Sequence, residues 1–253
     1  MTIRVAMVIQ AYYPHVGGAE RQLMALVPLL RERGVDVHIF TRRYEGMKPF
    51  ELIGGAPVHR LPIPGPKAMA SLSFTLSALP RLWQLKPDLI HAHELLSPTT
   101  TAVFAKRLLG TPVAAKVLRG GELGDLAKLK RKPFGLRRIA TFREQVDAFV
   151  TISQEIDGEL AEIGVGAEKR PFIPNGVDLS RFILADKTAV RQQLDFSCGK
   201  LVLFVGRLSA EKRAEQLIEI WPQVRQSHPD ATLLLLGAGP EEDSLRQSAT
   251  DGV

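Results

Sequence analysis

Short apolar runs alternate with segments of helical periodicity along most of the chain. The pattern predicts strands at residues 3–10, 35–40, 58–61, 88–93, 113–118, 148–153, 171–174, 201–206 and 231–236. It predicts helices at residues 19–34, 68–84, 98–109, 186–195, 210–225 and 240–249, and a loop at 41–56. Strands that alternate with helices at this spacing indicate parallel βαβ units. The sequence therefore predicts an α/β fold with a doubly wound parallel sheet, which binds ligands at the carboxyl ends of its strands.

A turn signature at residues 175–178, NGVD, divides the chain. We predict a first lobe at residues 1–175, which contains seven strands, and a second lobe at residues 176–253. The second lobe holds only about two strand–helix units, which is small for a doubly wound domain of ~100–150 residues.

Charge and composition narrow the class of protein. The net charge of +6 divides into +8 on residues 1–175 and −2 on residues 176–253. A basic first lobe favours phosphate groups or a lipid surface as partners, and the absence of a known nucleic-acid motif disfavours nucleic acid. No apolar run reaches the roughly 18 residues of a membrane span, and no signal peptide is recognisable. With Cys198 as the only cysteine, the composition favours a cytoplasmic protein without internal disulfides.

Two loops of the first lobe carry candidate ligand-binding residues after predicted strands. Gly17 and Gly18 precede a helix, where glycines let a phosphate approach the backbone closely. Arg119 and Glu122 flank two glycines after strand 113–118 and suit a polar ligand. The alternatives are a helix start that requires small residues and an ordinary turn with surface charges.

Two loops of the second lobe carry further candidates. Gly206 ends an apolar run, and Arg207 and Lys212 follow it at the start of a predicted helix, an arrangement that suits a diphosphate. The alternative is a helix whose first turn carries solvated basic residues. Gly237 and Gly239 resemble part of a dinucleotide fingerprint, but a glutamate replaces its third glycine, so that the evidence for a nicotinamide or flavin cofactor is weak.

Two histidines two residues apart raise the question of a metal site. His91 and His93 face the same side of one predicted strand. A catalytic metal usually needs three protein ligands, and no third is evident nearby. We therefore expect hydrogen-bonded structural histidines, or a single polar contact from His93, and no metal.

A basic segment at residues 128–138, KLKRKPFGLRR, interleaves cations with Leu129, Phe134 and Leu136. Such a segment suits the anionic headgroups of a membrane surface, and a solvated helix edge is the alternative. The six cations are Lys128, Lys130, Arg131, Lys132, Arg137 and Arg138.

Five motifs occur in an order and spacing that resemble glycosyltransferase family 4, retaining enzymes of the GT-B fold. They are GGAER, DLIHAH, PNGVD, FVGRLSAEK and LLGAGPEEDSL. The resemblance covers nearly the whole chain and is most specific in PNGVD with GRLSAEK. It implies two Rossmann-like lobes across a cleft, the first binding the acceptor and the second binding a nucleoside-diphosphate sugar.

The same resemblance implies roles for individual residues. Gly17 and Gly18 would lie beside the donor phosphates, while Arg207 and Lys212 would neutralise the diphosphate leaving group. Fixed cations stabilise the charge that develops on a leaving group without a metal ion. The resemblance therefore implies neither a metal nor a cofactor.

The chain departs from the family in two places. Arg119 stands about where the family often has a histidine near the sugar, and we take Arg119 and Glu122 as candidate catalytic residues. The family's paired glutamates, spaced eight apart, and its returning C-terminal helix have no counterpart. We therefore expect an incomplete second lobe with an exposed strand edge, and little or no transferase activity in this chain.

The combined interpretation is a glycosyltransferase of the hexosyltransferase type. It would move a sugar, with retention, to a cell-envelope, lipid-linked or polysaccharide acceptor, and it would sit in the cytoplasm or on the inner face of the membrane. Two alternatives stay open: a non-catalytic module that binds a nucleotide sugar or an anionic lipid, and a nicotinamide-dependent oxidoreductase.

Overall fold

A computed structural model describes residues 2–196 and 199–253 of the chain. The chain forms two compact units: unit 1 ends at Gly176, and unit 2 runs from Val177 to Val253, one residue away from the predicted division. The prediction for Cys198 falls outside the described residues. In the described ranges, no helix has the length and apolar character needed to cross a lipid bilayer.

Unit 1 is built on a seven-stranded sheet. Its strands are β1 (Arg4–Ile9), β2 (Asp36–Arg42), β3 (Phe50–Ile53), β4 (Ala56–Leu61), β5 (Leu89–His93), β6 (Val113–Lys116) and β7 (Ala148–Val150). The order across the sheet is β3-β4-β2-β1-β5-β6-β7, and the neighbouring strands are parallel except for β3 with β4. The winding reverses between β1 and β5, so a ligand is expected beyond the carboxyl ends of these two strands.

Helices cover both faces of this sheet. They are α1 (Gly18–Glu32), α2 (Lys67–Leu85), α3 (Ser97–Leu109), α4 (Asp125–Lys130), α5 (Gly135–Gln145) and α6 (Gln154–Glu162), followed by a 3-10 helix at Ala167–Lys169. In the central strand β1, Val8 joins the core that contains Phe74 of α2, whereas Met7 joins the core that contains Leu23 of α1. Burial on both faces explains why β1 is almost continuously apolar.

The structure corrects two strand predictions in unit 1. The predicted loop at 41–56 contains β3, which forms an antiparallel hairpin with β4 through Gly54 and Gly55. Both glycines have positive φ, as a tight hairpin requires, and this Gly-Gly signal was available in the sequence. The predicted strand at 171–174 is reduced to an isolated bridge between Thr151 and Phe172. Prolines at both ends of that stretch lack the N–H that a continuing ladder needs.

Unit 2 contains a two-stranded parallel sheet. Its elements are α7 (Lys187–Gln193), β8 (Leu201–Val205), a 3-10 helix (Ala210–Lys212), α8 (Ala214–Ser227), β9 (Thr232–Leu236) and α9 (Glu242–Ser248). The helix predicted from residue 210 begins four residues later, because Arg213 has a φ of +54° and separates the 3-10 turn from α8. Ile218, Trp221 and Leu233 belong to a small core between α8, β9 and α9.

Candidate functional site

The start of α1 lies at the end of the loop that follows β1. Gly17 is the N-cap residue, no side chain caps the first turn, and Gly17 and Gly18 are both exposed. A side chain at residue 18 would meet nothing within 4 Å, whereas one at residue 17 would come within 2.5 Å of a Glu20 carboxylate oxygen. Free N–H groups and the positive end of the helix dipole make such a terminus attractive to anions. The predicted glycines therefore lie on the ligand side of the sheet.

The two histidines of β5 lie side by side, His93 fully buried and His91 half-buried. Their rings stack with centroids 4.4 Å apart. Burial, reinforced by Lys116, lowers the pKa of His91 to about 4, and burial, followed by His91, lowers the pKa of His93 well below its ordinary value. Neither ring nitrogen of His93 has a hydrogen-bond partner among the described residues, so the expectation of a hydrogen-bonded structural histidine is wrong for His93. The described residues hold no group of three or more His, Cys, Asp or Glu side chains that would suit a metal ion.

Glu94, directly after β5, is a site residue that the sequence reasoning missed. Its φ of +91° is sparsely populated by residues with a side chain. Its N–H donates to the Lys116 carbonyl at 2.9 Å, and its carbonyl accepts from the Thr99 hydroxyl at 2.7 Å. Burial, followed by the neighbouring Asp125, raises the pKa of Glu94 to about 7. An acidic residue placed immediately after a buried strand was the signal that could have found it.

Asp125 fixes the loops that follow β5 and β6. Its carboxylate accepts hydrogen bonds from the backbone N–H groups of Leu95 (3.3 Å) and Leu118 (3.1 Å). Burial raises the pKa of Asp125, and the two N–H donors oppose this rise. One buried carboxylate thus holds the loops after two neighbouring strands, β5 and β6, against each other.

The loop after β6 presents both predicted catalytic residues to solvent. Arg119 and Glu122 are exposed. The loop folds back on itself, because the N–H of Asp125 donates to the Arg119 carbonyl at 2.9 Å. A side chain at Gly124 would come within 2.8 Å of the Arg119 carbonyl oxygen, so this turn requires glycine. The structure places Arg119 and Glu122 at the same edge of the sheet as the start of α1.

The junction turn is tied to the sheet of unit 1. The Lys116 ammonium, buried at the end of β6, donates to the Asn175 side-chain oxygen at 2.6 Å. Burial lowers the pKa of Lys116. The PNGVD motif therefore contributes Asn175 to unit 1 before the chain enters unit 2.

The basic segment divides into exposed and inward-facing residues. Lys128 and Arg138 are half-buried, and Leu129 is fully buried in the core. Phe134 and Leu136 are 73% and 71% exposed. The four remaining cations, all exposed, are Lys130, Arg131, Lys132 and Arg137.

The cations of unit 2 lie after β8. Arg207 and Lys212 are both exposed, and Gly206 is half-buried. Lys212 ends the 3-10 helix rather than standing in an α-helix, and its N–H donates to the Ser209 carbonyl at 2.8 Å. Both side chains follow the carboxyl end of β8, where a parallel sheet binds ligands.

The glycines after β9 are required by loop packing. A side chain at Gly237 would come within 1.8 Å of the Gly206 carbonyl oxygen, and one at Gly239 within 2.0 Å of the Leu208 carbonyl oxygen. The Leu208 N–H also donates to the Ala238 carbonyl at 3.0 Å. The two strand-end loops of unit 2 therefore pack backbone against backbone, which brings the predicted donor-binding glycines to one end of the sheet.

Comparison with known families identifies both halves of the chain. Residues 16–181 match the model of Glycosyltransferase Family 4, and residues 186–251 match the model of Glycosyl transferases group 1.

Curated relatives are glycosyltransferases of several kinds. A GDP-mannose-dependent monoacylated alpha-(1-6)-phosphatidylinositol monomannoside mannosyltransferase of Corynebacterium glutamicum is 37% identical over 46% of this chain and 31% of its own length. Glycogen synthase of Mycobacterium tuberculosis is 24% identical over 98% of this chain and 64% of its own length. D-inositol 3-phosphate glycosyltransferase of Pseudarthrobacter chlorophenolicus is 27% identical over 93% of this chain and 61% of its own length. The chain thus spans less than two thirds of the length of these relatives.

Solved structures agree on the fold. HepE from Anabaena, in complex with UDP and glucose, superposes with a TM-score of 0.70 at 19% identity, covering 97% of this chain and 64% of HepE. WaaG, a glycosyltransferase involved in lipopolysaccharide biosynthesis, superposes with a TM-score of 0.68 at 16% identity, covering 96% of this chain and 66% of WaaG. These neighbours and the parallel sheets confirm the predicted α/β fold of GT-B type. The chain belongs to glycosyltransferase family 4.

Proposed function

We propose that the protein transfers a sugar from a nucleoside-diphosphate donor to an acceptor, with retention of configuration. The observation that carries the proposal is the exposed pair Arg207 and Lys212 after β8, in a member of this family. Related proteins support the donor class: HepE structures contain UDP or UDP-glucose, and the Corynebacterium mannosyltransferase is GDP-mannose-dependent. Because the sequence predicts little or no turnover in this chain, donor binding is the first test of the proposal. The anomeric configuration of any product, compared with that of the donor by proton NMR, tests retention.

The proposed role of the two cations follows from the charge of the leaving group. When the bond between the sugar and the diphosphate breaks, negative charge develops on the diphosphate. Cations fixed near the leaving group stabilise this charge in the transition state, and they do so without a metal ion. We propose the open start of α1 at Gly17 and Gly18 as a further contact for the donor phosphates, because its N–H groups are free.

The loop after β6 is proposed to contact the reacting sugar. Arg119 and Glu122 are exposed there and supply one cation and one carboxylate. Asp125 holds the base of this loop and the loop that contains Glu94. Polar side chains on two anchored loops suit the hydroxyl groups of a sugar.

Titration calorimetry tests the donor class. UDP, GDP and ADP are titrated into the chain, with UMP and NAD as comparators. We expect at least one diphosphate to bind about tenfold more tightly than UMP, because the second phosphate adds charge-assisted hydrogen bonds of about 1.5–3 kcal/mol. Binding of NAD as tightly as the best diphosphate would instead favour the oxidoreductase alternative.

We also propose that the basic segment at residues 128–138 lies on an anionic membrane surface. Two observations support this: four of its cations are exposed, and Phe134 and Leu136 project beside them. In such a segment the cations attract anionic headgroups, and the apolar side chains insert among them. We propose, finally, a lipid-linked or polysaccharide acceptor. Two relatives have names that point to such acceptors, a phosphatidylinositol monomannoside mannosyltransferase and a glycogen synthase.

A further inference from the structure

A cavity of about 670 Å³ opens in unit 1 and has a cationic lining. Its walls come from the end of β2, the first turns of α2 and α3, and the stretch from residue 132 into α5. Two arginines and two lysines line it, with no aspartate or glutamate: Arg42, Lys67, Lys132 and Arg138. The volume lies within the ~300–1,000 Å³ typical of small-ligand sites.

Arg42 is held in this cavity by neutral groups. Its Nη2 donates to the hydroxyls of Ser71 in α2 and Ser97 in α3, both at 3.0 Å. Its Nε is buried and has no hydrogen-bond partner within residues 2–196 and 199–253. The hydroxyls fix the guanidinium group without neutralising it.

Arg138 is held in the same way from the other wall. Its Nη2 donates to the Leu96 carbonyl at 3.0 Å and to the Thr100 hydroxyl at 2.7 Å. Its Nε is likewise buried and unpartnered in the described part of the chain. Burial lowers the pKa of Arg138, because desolvation disfavours the charged guanidinium group.

Among the described residues, neither Arg42 nor Arg138 forms a salt bridge, and the Glu94 carboxyl interacts with Arg42 only through its longer-range charge. A partly buried cation without a directly paired carboxylate is costly, so an anion that enters the cavity gains two preorganised guanidinium forks. The free first turns of α2 and α3, both uncapped by side chains, add positive dipole ends.

We propose that this cavity binds a phosphate ester carried by the acceptor, an inference that rests on the proposed transferase function. Four cations suit a phosphate dianion better than a single carboxylate, and arginine forks match phosphate geometry. Leu72 and Phe104 line the same cavity and give an apolar contact to the organic part of the ester. The cavity thereby sets the class of acceptor: a phosphorylated molecule, either soluble or a lipid headgroup.

The test compares neighbouring arginines that differ only in where they point. Glycerol 3-phosphate is titrated calorimetrically into the chain and into the variants Arg42→Gln and Arg138→Gln. The matched controls are Arg43→Gln and Arg137→Gln, which remove the same charge from adjacent exposed residues outside the cavity. We expect the cavity variants to weaken binding about tenfold or more, and the controls to stay within about twofold.

A second variant, at exposed residues, shows whether a loss of binding is caused by misfolding. Lys67 and Lys132 are exposed, so the double variant Lys67→Gln/Lys132→Gln keeps the fold and is expected to lose about tenfold in affinity. No binding of glycerol 3-phosphate, or equal losses in cavity and control variants, would overturn the proposal. Binding of plain glycerol as tight as that of glycerol 3-phosphate would overturn it as well.

Two further arms separate the sources of the phosphate and the two proposals. The first arm measures sedimentation with phosphatidylcholine vesicles that contain phosphatidic acid. Binding that is weakened by Arg42→Gln but not by Arg43→Gln supports a lipid headgroup. Binding of glycerol 3-phosphate without binding of these vesicles supports a soluble ester. UDP, GDP and ADP titrated into the same samples report on the donor site. Glycerol 3-phosphate binding without binding of any of the three diphosphates rejects only the proposed donor site, and the reverse result rejects only this cavity.

Discussion

Glu94 combines a backbone φ of +91° with a carboxyl pKa of about 7 at the end of β5. A residue with a side chain in such a conformation costs about 1–3 kcal/mol, and burying its carboxylate adds to that cost. Residues of this kind cluster at ligand-binding and catalytic sites. Glu94 therefore belongs with Arg119 and Glu122 in the candidate site of unit 1.

The raised pKa of Glu94 predicts a pH-dependent effect of Glu94→Gln. The folded pKa of about 7 exceeds the ordinary glutamate pKa of 4.5, so Glu94 favours folding below about pH 4.5, and this contribution is lost as the pH rises through 7. At about pH 8 we expect the free energy of unfolding of Glu94→Gln to be about 1–3 kcal/mol higher than that of the native chain. At about pH 4 the two should be equal, as measured by urea unfolding of unit 1.

The control for this measurement is Glu122→Gln, which changes an exposed carboxylate in the loop after β6. It should leave the free energy of unfolding nearly unchanged at both pH values. A difference between native chain and Glu94→Gln that stays constant with pH would show that the variant acts through packing and not through ionisation.

Side-chain direction is the part of the site that sequence patterns did not predict. In the sequence, Arg138 is one of six cations in a basic segment. In the structure it points inward, because the Leu96 carbonyl and the Thr100 hydroxyl accept its hydrogen bonds. Arg42 ends a strand and is fixed by serines of α2 and α3. These partners are distant in sequence, so local periodicity carries no information about them.

Among the secondary-structure elements, the central strands were predictable and the edge strand β3 was not. β1 and β5 are buried on both faces, so their sequences are nearly continuous apolar runs. β3 has exposed Phe50 and Leu52 and only four residues, so its pattern resembles a loop. The helices α4, α5 and α6 were also missing from the sequence prediction. Two-sided burial thus made the central strands visible in the sequence.

The basic segment gives a prediction for membrane binding. The triple variant Lys130→Gln/Arg131→Gln/Arg137→Gln removes three exposed charges outside the acceptor cavity. Each basic residue near an anionic surface contributes about 1 kcal/mol, so we expect sedimentation with vesicles containing phosphatidylglycerol to fall more than tenfold. Added salt should release the native chain for the same reason.

The matched control is Arg33→Gln/Lys48→Gln/Arg107→Gln, which removes three exposed charges from other parts of unit 1. It should retain most of the binding. Equal losses in both triple variants would show that net charge, and not this segment, attracts the vesicles. Equal binding of the native chain to neutral phosphatidylcholine vesicles would remove electrostatics as the cause.

At the scale of the whole molecule, the two units differ in how well they bury their strands. In unit 2, Val202, Leu203 and Val205 of β8 and Leu236 of β9 are 42–66% exposed. In unit 1, β1 is buried along almost its full length. Strands that bury fewer apolar side chains open at a lower free-energy cost.

We therefore predict that the amides of β9 exchange with solvent at least about tenfold faster than those of β1. Native-state hydrogen exchange followed by mass spectrometry measures both strands in one sample. Equal protection of the two strands would contradict the view that unit 2 is the less stable part.

The division of the chain and its family were accessible from the sequence because they rest on order and spacing. NGVD marks the boundary within one residue, and five motifs in sequence carry the family resemblance. The cationic cavity of unit 1 could not be predicted from motif order, because it forms only when α2, α3 and α5 come together over the sheet.

The central claim is that unit 2 holds a diphosphate through Arg207 and Lys212. The most direct measurement is calorimetric titration of the tightest-binding nucleoside diphosphate into the native chain, Arg207→Ala, Lys212→Ala and the control Lys187→Ala, an exposed lysine at the start of α7. Each charge-assisted hydrogen bond lost should weaken binding about tenfold or more, and the control should stay within about twofold. Unchanged affinity in both Arg207→Ala and Lys212→Ala, or an equal loss in Lys187→Ala, would contradict the account.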